Sequence, residues 1–303
     1  MFSMEKVTRI CLVLLVIVAL TACGGNSNSQ DEELAREDSL LLENRSKNLV
    51  GMINGTIYCL PSPYEMMKHI DEMHLEYNQE YPNPVGKFSS YESSFKRLLN
   101  MGVYGIDISY LSLYDQTTEA LNYFGVLKSL ANRIELSTVF DAQTMERLEN
   151  NMGNKDSLLY ILTTKFRESD RLLKGENQKA EASLIMAGCW IESLYLLTQI
   201  QKTSSDPVIV QKIAEHKFAA EAILNILRPY YEKSPEFMDL IDEIVDICYE
   251  FDGIDFNYTY KEPTTYPNRH LTVINSESSL NVFPEHIRLI SDKIEKLRKN
   301  VVQ

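Results

Sequence analysis

The strongest constraint on this chain is the spacing of its apolar residues, which recur every three to four positions over most of the sequence. That period is typical of amphipathic α-helices, which hold about 3.6 residues per turn. Four prolines, Pro63, Pro207, Pro235 and Pro284, stand where a first helical turn accepts them. Because short polar connections between such helices favour antiparallel neighbours, the sequence predicts an all-α, up-and-down bundle of about eight to ten helices.

The periodicity also predicts where each helix lies, with Asn154 or Asp156 as one N-cap and Gly175 as one C-terminal stop. The predicted helices are Glu33–Met52, Pro63–Tyr77, Ser89–Tyr114 (which glycine can interrupt at Gly102 or Gly105), Gln116–Glu135, Asp141–Asn150, Asp156–Lys174, Glu176–Lys202, Pro207–Tyr231, Pro235–Phe251 and 283–300. Residues 252–282 differ, because apolar and polar residues alternate around Phe256-Asn257-Tyr258-Thr259-Tyr260. We expect an irregular segment or a small β-hairpin there.

The N-terminus has the layout of an export signal. Lys6 and Arg9 precede the apolar run Ile10–Leu20, which is shorter than the roughly 20 residues of a membrane-spanning helix. The run ends in Leu20-Thr21-Ala22-Cys23, which resembles the bacterial lipobox and implies a diacylglycerol and a further acyl chain such as palmitate on Cys23. We predict a signal peptide at 1–22, a lipidated Cys23 with a flexible tether at 23–32, and a helical domain at 33–303. The alternative is an ordinary secretory signal followed by a chance cysteine.

Charge and the first residues after Cys23 limit the location and the partners. The formal charge is −13, and an acidic surface repels nucleic acid and anionic lipid headgroups. We therefore expect no nucleic-acid partner and attachment to the membrane through the lipid alone. Gly24 after the cysteine resembles the sorting rule for the outer membrane of Gram-negative bacteria, and the first acid, Asp31, follows only later. The periplasmic and surface faces both stay open, as does an envelope protein or peptide as partner.

Motifs for cofactors, metals and nucleophiles are missing from the sequence. It contains no GxGxxG, GxxxxGK[ST] or GxSxG pattern, so we predict no cofactor and no catalytic residue. His69 and His74 are five positions apart, which does not place them on one helix face for a metal ion. Cys59, Cys189 and Cys248 are widely spaced. One disulfide among these three is an option, and buried free thiols at the last two are favoured.

Four stretches carry a resemblance to a known family. Together they resemble an uncharacterised family of helical lipoproteins from Gram-negative bacteria, over roughly residues 55–300 and in the same order along the chain. The family has no established activity, so the resemblance implies a lipoprotein and a helical fold but assigns no functional residue. The stretches are Leu60-Pro61-Ser62-Pro63-Tyr64, Gly102 to Tyr110 (GVYGIDISY), Asn154-Lys155-Asp156-Ser157-Leu158 and Ala187 to Tyr195 (AGCWIESLY).

Two acids stand on apolar stripes, where core residues are expected. Asp107 stands four residues after Val103 and three before Tyr110, on the same helix face as both. Glu192 stands three residues after Cys189 and four before Leu196, again on one face. A buried carboxylate is costly unless it is paired or hydrogen-bonded. A buried polar network is the favoured explanation, a ligand site between helices is the second, and acid/base catalysis by paired carboxylates is the third. The candidate ligand-binding residues are Asp107, Glu192, Tyr110, Tyr114 and Trp190.

The aromatic residues allow two explanations. Aromatic clusters can stack sugars or peptides, but packing at helix interfaces explains them at lower cost. Trp190 follows Gly188 and Cys189, whose small side chains would leave room for its ring. We expect it in the core. The clusters are Tyr104, Tyr110, Tyr114 and Tyr123 in one region and Tyr258, Tyr260 and Tyr266 in another.

The function favoured by these observations is that of a non-enzymatic binding or scaffolding lipoprotein of the cell envelope. Such a protein would expose an apolar groove or patch. The first alternative is a small-ligand binder whose pocket contains Asp107 or Glu192. An envelope hydrolase is the least favoured, since it would need three or more polar side chains converging in one cleft.

Overall fold

The computed structural model describes residues 48–53, 56–61, 63–133, 141–172, 179–204, 206–267 and 271–303. The predictions for the signal peptide, Cys23, the tether and Gly175 lie outside these residues. The described helices are α1 (Pro63–Glu72), α2 (Ser94–Leu113), α3 (Thr117–Arg133), α4 (Ala142–Asn150), α5 (Lys155–Leu172), α6 (Lys179–Thr203), α7 (Pro207–Leu227), α8 (Pro235–Asp252) and α9 (Pro284–Val301), with 3-10 helices at Val85–Ser90 and Arg228–Lys233. The strands are β1 (Asn48–Ile53), β2 (Thr56–Pro61), β3 (Asp255–Thr259), β4 (Thr264–Tyr266), β5 (Leu271–Val273) and β6 (Glu277–Asn281).

The all-α prediction is confirmed, because helices dominate the residues from Ser46 to Gln303, which form one compact unit. Most helix starts follow the capping signals. The Asn154 side chain accepts the N–H of Ser157 at 3.0 Å, which makes Asn154 the N-cap of α5. α7 ends at Leu227, earlier than predicted, and a 3-10 turn follows. The reason is Pro229, which has no N–H to continue the helix.

The first two strands correct a helix prediction. Asn48–Met52 was expected to end the helix Glu33–Met52, but these residues belong to β1, which pairs antiparallel with β2. Ile53 is the partner of Thr56 in this pair, and the two positions between them in the sequence are Asn54-Gly55. That dipeptide is the strongest short signal for a β-hairpin, and the apolar pattern on either side concealed it.

α2 is continuous from Ser94 to Leu113, so of the two options for this segment the uninterrupted helix is the one observed. Gly102 instead lets α2 touch α6, since a Cβ there would lie 2.2 Å from the carbonyl oxygen of Ile185. Gly188 does the same from the other side, at 1.9 Å from the carbonyl oxygen of Leu99. The two helices therefore pack main chain against main chain, and both are buried along most of their length.

The direction of α7 and α9 places their first turns together. α9 runs antiparallel to α6, since Arg298 bonds to Glu192 while Glu295 bonds to Gln199 further along α6. α7 follows α6 after a short connection, and the two helices pack against each other. α7 and α9 thus begin at the same end of the bundle.

At that end, residues 255–267 and 271–281 form a nested hairpin, in which β3 pairs with β6 and β4 pairs with β5. We call these residues the hairpin arm. This agrees with the small hairpin expected for 252–282.

α6 has the length and composition of a membrane-spanning helix, and it is the one helix with both properties in the described part of the chain. Most of it is buried inside the bundle. A central core helix of a helical bundle meets the same criteria, because it is apolar on all sides.

The glycine contact generates a prediction. Gly102→Ala or Gly188→Ala should lower the free energy of unfolding by at least about 2 kcal/mol, because the added methyl group meets main chain that cannot rotate away. Thermal and urea unfolding followed by circular dichroism would measure it. The matched control is Gly125→Ala in α3, where a Cβ meets nothing within 4 Å. It should be neutral or stabilising by up to about 1 kcal/mol, and equal losses in all three variants would contradict the proposed contact.

Candidate functional site

The structure brings Asp107 and Glu192 together. Asp107 lies on α2 and Glu192 on α6, and the close packing of these helices places both side chains in the core with no exposed surface. The negative charge of Glu192 acts directly on the carboxyl group of Asp107. Acid pairs of this kind occur in catalytic dyads and in structural networks, so the remaining contacts decide what the pair can do.

Arg298 on α9 is the partner of Glu192. Its Nε and Nη2 atoms donate to the two carboxylate oxygens at 2.7 and 2.8 Å, a bidentate ion pair. Nη2 also donates to the carbonyl oxygen of Tyr81 at 3.1 Å. The guanidinium carbon lies 3.9 Å from the ring centre of Tyr195, within reach of a cation–π interaction. Arg298 is therefore held by an ion pair, a main-chain hydrogen bond and an aromatic ring.

A loop from residue 78 to residue 84 closes the network on the other side. The N–H of Asn83 donates to Asp107 Oδ2 at 3.0 Å, and the Asn83 amide group donates to the hydroxyl of Tyr91 at 2.8 Å. The Tyr104 hydroxyl donates to the carbonyl oxygen of Pro84 at 3.0 Å. Asn83 is itself fully buried. The loop is thus fixed over the acids by hydrogen bonds to its main chain.

The surroundings of Asp107 favour the protonated form of its carboxyl group. Burial raises the pKa of its carboxyl group well above the usual value, and the neighbouring charge of Glu192 raises it further. Arg298 and the N–H of Asn83 act in the opposite direction but do not cancel the rise. Its second oxygen, Oδ1, is buried without a hydrogen-bond acceptor or donor among the described residues.

The other candidate residues are buried or partly buried. The Tyr110 hydroxyl accepts the N–H of Asn78 at 3.0 Å, and its ring lies 5.0 Å from that of Tyr114. Trp190 is 4% exposed. The reason given for its position was wrong, because the space at Gly188 is taken by the α2 main chain and not by the indole ring. The ligand-binding role of Asp107, Glu192, Tyr110, Tyr114 and Trp190 stays a prediction for residues that lie mainly inside the bundle.

The structure shows the state of two cysteines and allows a search for metal ligands among the described residues. Cys189 is buried and Cys248 is partly buried, and both are free thiols. Burial raises the pKa of each thiol, to about 12 for Cys248, which makes them unreactive near neutral pH. Within the described residues, no group of three or more His, Cys, Asp or Glu side chains could hold a metal ion.

A surface cleft of about 850 Å³ lies away from the acids, at the end of the bundle where α7 and α9 begin. Neither Asp107 nor Glu192 lines it. One wall is a stripe of α7 and another is a stripe of α9, each with the three- and four-residue spacing of one helix face. The α7 wall is Pro207, Val210, Gln211, Glu215 and Phe218, and the α9 wall is Pro284, Ile287, Arg288, Ser291 and Asp292.

The hairpin arm forms the third wall. Phe256 is the partner of Leu280 in the strand pair, and Tyr258 is two residues from Phe256. Since side chains alternate along a strand, Phe256, its partner-strand neighbour Leu280, and Tyr258 lie on one face. The Phe256 ring packs edge-on against Phe218 at 4.9 Å between centres, which joins the arm to α7. Phe218 is 48% exposed and Tyr258 67% exposed, so aromatic surface remains open in the cleft.

Neither the role of Arg298 nor the cleft was predicted from the sequence. Arg298 follows Ile294 by four residues on the apolar stripe of α9, the same anomaly that singled out the two acids, and it could have been found in that way. The cleft left no comparable signal. The residues that line it come from four separate segments, and only the folded chain shows that these meet.

The acid pair generates a prediction about which variant the core tolerates. Glu192→Gln should lower the free energy of unfolding by about 3 kcal/mol, because it leaves Arg298 buried without a charged partner. Asp107→Asn should cost less than about 1 kcal/mol, because an amide keeps the acceptor for Asn83 and stays neutral like the protonated acid. Urea unfolding at neutral pH would measure both. Equal losses would show that Asp107 is not protonated.

The pH dependence provides the control for this experiment. A carboxyl group with a raised pKa binds its proton more tightly in the folded chain, so its contribution to stability falls as pH rises above about 4. Asp107→Asn has no such proton. The stability of the wild-type chain relative to this variant should therefore decrease as the pH rises above about 4. A difference that does not change with pH would contradict the proposed protonation state.

The chain was compared with known protein families, proteins and structures. No protein-family model, no curated protein and no solved structure matches the chain. The resemblance to helical lipoproteins therefore stays a prediction, and the function has to be argued from the cleft and the core network.

Proposed function

We propose that this chain is a membrane-anchored, non-enzymatic binding lipoprotein of the cell envelope, which receives an envelope protein or peptide in its surface cleft. The cleft is the observation that carries the proposal. It combines an apolar face of the hairpin arm with exposed aromatic surface from Phe218 and Tyr258. Exposed apolar surface in a concave site is typical of interaction sites.

The polar groups of the cleft favour binding over catalysis. Arg288 is held by Glu285 and Asp292 at 2.7 Å each, and Lys202 pairs with Glu295. Side chains engaged in this way set the shape and charge of a surface and are not poised to transfer protons or attack a substrate. The acids that could share a proton, Asp107 and Glu192, lie in a closed part of the core.

A small-ligand pocket at Asp107 and Glu192 receives less support. Its basis was that buried acids need partners, and Arg298 and Asn83 supply these partners. The cleft volume does fall within the range of small-molecule sites, about 300–1,000 Å³. A small ligand, if there is one, is therefore better placed in the cleft than between the acids.

The anchor part of the proposal rests on Leu20-Thr21-Ala22-Cys23 and on the signal-like residues before it. Cys23→Ser should move the protein from the membrane fraction to the soluble periplasmic fraction and abolish labelling by a palmitate analogue, because several acyl chains are needed for stable anchoring. Fractionation and metabolic labelling in a Gram-negative host would measure this. Membrane retention of the serine variant would contradict the lipid anchor.

The cleft part is tested by photocrosslinking in cells. With p-benzoylphenylalanine in place of Phe218, we expect a polypeptide adduct of defined mass, because an occupant of the cleft contacts that position. Gel analysis and mass spectrometry of the purified adduct would identify the partner and the peptide bound.

The matched control places the same crosslinker at Leu121 on α3. Leu121 is similarly exposed, at 45%, and does not line the cleft. An adduct found equally at both positions would indicate unspecific contact. No adduct at Phe218 would remove the cleft from the proposed function.

A further inference from the structure

We infer that α7 carries an acid-sensitive latch: uptake of a proton by His216 releases this helix from the core and opens the wall that it supplies to the cleft. As a regulator of the binding site, the latch rests on the proposed function. As a property of α7 it does not, because it depends only on the surroundings of one imidazole ring. Three features of these surroundings support it: the position of His216, the hydrogen bonding of its ring and the charges near it.

His216 stands in the middle of the apolar stripe of α7. The core residues of this helix follow each other at steps of four and three positions, which places them on one face. They are Ile209, Ile213, His216, Ala220, Ile223 and Leu227. His216 is 2% exposed. A neutral imidazole can be buried in such a place, whereas an imidazolium ion would lose its hydration there.

The hydrogen bonding of the ring favours the neutral form as well. The Nδ1 atom of His216 is buried and has no hydrogen-bond partner within the part of the chain that the structure describes. An imidazolium ion carries an N–H on both ring nitrogens. Protonation would therefore place a buried donor at Nδ1 without an acceptor, which costs free energy. That cost is removed in any conformation in which the ring reaches water.

The charges near His216 act in the same direction. Burial lowers the pKa of the imidazole, and the ammonium group of Lys212 on the preceding turn lowers it further, to about 3. The adjacent acid Glu215 pairs with Lys212 at 2.8 Å and does not act on the ring. No acidic neighbour among the described residues therefore compensates for a charge on His216.

The elements packed against α7 supply no counter-charge either. They are α6, α8, the 3-10 helix that follows α7, and β2. Among their described residues, the first three contribute no charge that acts on the imidazole. The sequence of β2, TIYCLP, includes no Asp, Glu, Lys, Arg or His. A proton on His216 is thus favoured only when α7 moves away from its neighbours.

α7 connects this ring to the cleft. Glu215 and Phe218 flank His216 in the sequence and line the cleft from another side of the helix. The Phe218 ring contacts the Phe256 ring of the hairpin arm at 4.9 Å between centres. A movement of α7 that brings His216 to water carries both cleft residues with it, because one helical turn moves as a unit. Acid would therefore widen the cleft and separate Phe218 from the arm.

The sign and the size of the effect follow from the two pKa values. In water an imidazole has a pKa of about 6.5, so the released helix binds the proton more tightly than the packed helix. The packed state has its full advantage above about pH 6.5 and loses it as the pH falls. With the pKa of the packed state at about 3, the fraction of molecules with α7 released should rise about 30-fold between about pH 7.5 and pH 5.

The test is hydrogen exchange of the full chain from Cys23, with Cys23→Ser to keep it soluble. Exchange is followed by mass spectrometry between about pH 7.5 and pH 5 and corrected for the intrinsic rate at each pH. We expect the protection factors of α7 peptides to fall about 30-fold over this range. Peptides of α2 and α6, which form the centre of the bundle, should keep their protection.

Substitutions at two histidines assign the effect. His216→Leu should abolish the acid response of α7, because leucine suits the apolar stripe and takes up no proton. His216→Gln, which is neutral and polar, should abolish it as well and guards against a packing change caused by leucine. The matched control is His74→Asn, which removes an exposed histidine and tolerates the positive φ of that position. It should keep the full response.

Three results would overturn the latch. They are a protection of α7 that does not change with pH, an acid response that persists in both His216 variants, and an equal loss of protection in all helices, which would indicate global unfolding. The failure of the proposed function is distinguishable, because hydrogen exchange needs no bound partner. An absent crosslink at Phe218 together with the expected exchange would reject the binding function and keep the latch.

Discussion

The rest of the structure depends on the close contact between α2 and α6. Gly102 and Gly188 remove the side chains that would separate the two main chains, so these helices form the centre of the bundle and the other helices pack around them. The same contact brings Asp107 and Glu192 into one enclosed space. A buried acid pair is thus a consequence of how closely two helices approach. Contacts with Arg298 and Asn83 offset the free-energy cost of burying these two carboxyl groups.

The two acids are accommodated in the core in physically different ways. Glu192 has Arg298 as its ion-pair partner, which donates two short hydrogen bonds to its carboxylate oxygens. For Asp107, burial and the neighbouring negative charge raise the pKa of the carboxyl group and so favour its neutral form. Since Arg298 comes from α9 and Asn83 from the loop beside α2, the network ties distant parts of the chain to the central pair. Such networks are costly if incomplete, which favours a single arrangement of the helices.

The cleft and the core network have separate roles in this interpretation. The network is closed and fixes α9 against α6, and α9 then supplies one wall of the cleft through Ile287 and Arg288. The hairpin arm supplies the wall with the most exposed aromatic surface. The proposed binding function therefore depends on the core indirectly, because the core sets where the first turns of α7 and α9 begin.

The sequence by itself determined the helical class, most helix bounds and the burial of two acids, because these follow from local periodicity and from Pro, Asn and Ser signals at helix ends. It did not determine the β1–β2 hairpin, where an apolar run concealed the Asn54-Gly55 signal. Only the tertiary structure decided that Asp107 meets Glu192, that Arg298 completes the pair, and that α7, α9 and the hairpin arm enclose a cleft. The Glu192–Arg298 contact joins residues 106 positions apart, and no local pattern specifies which helix faces meet.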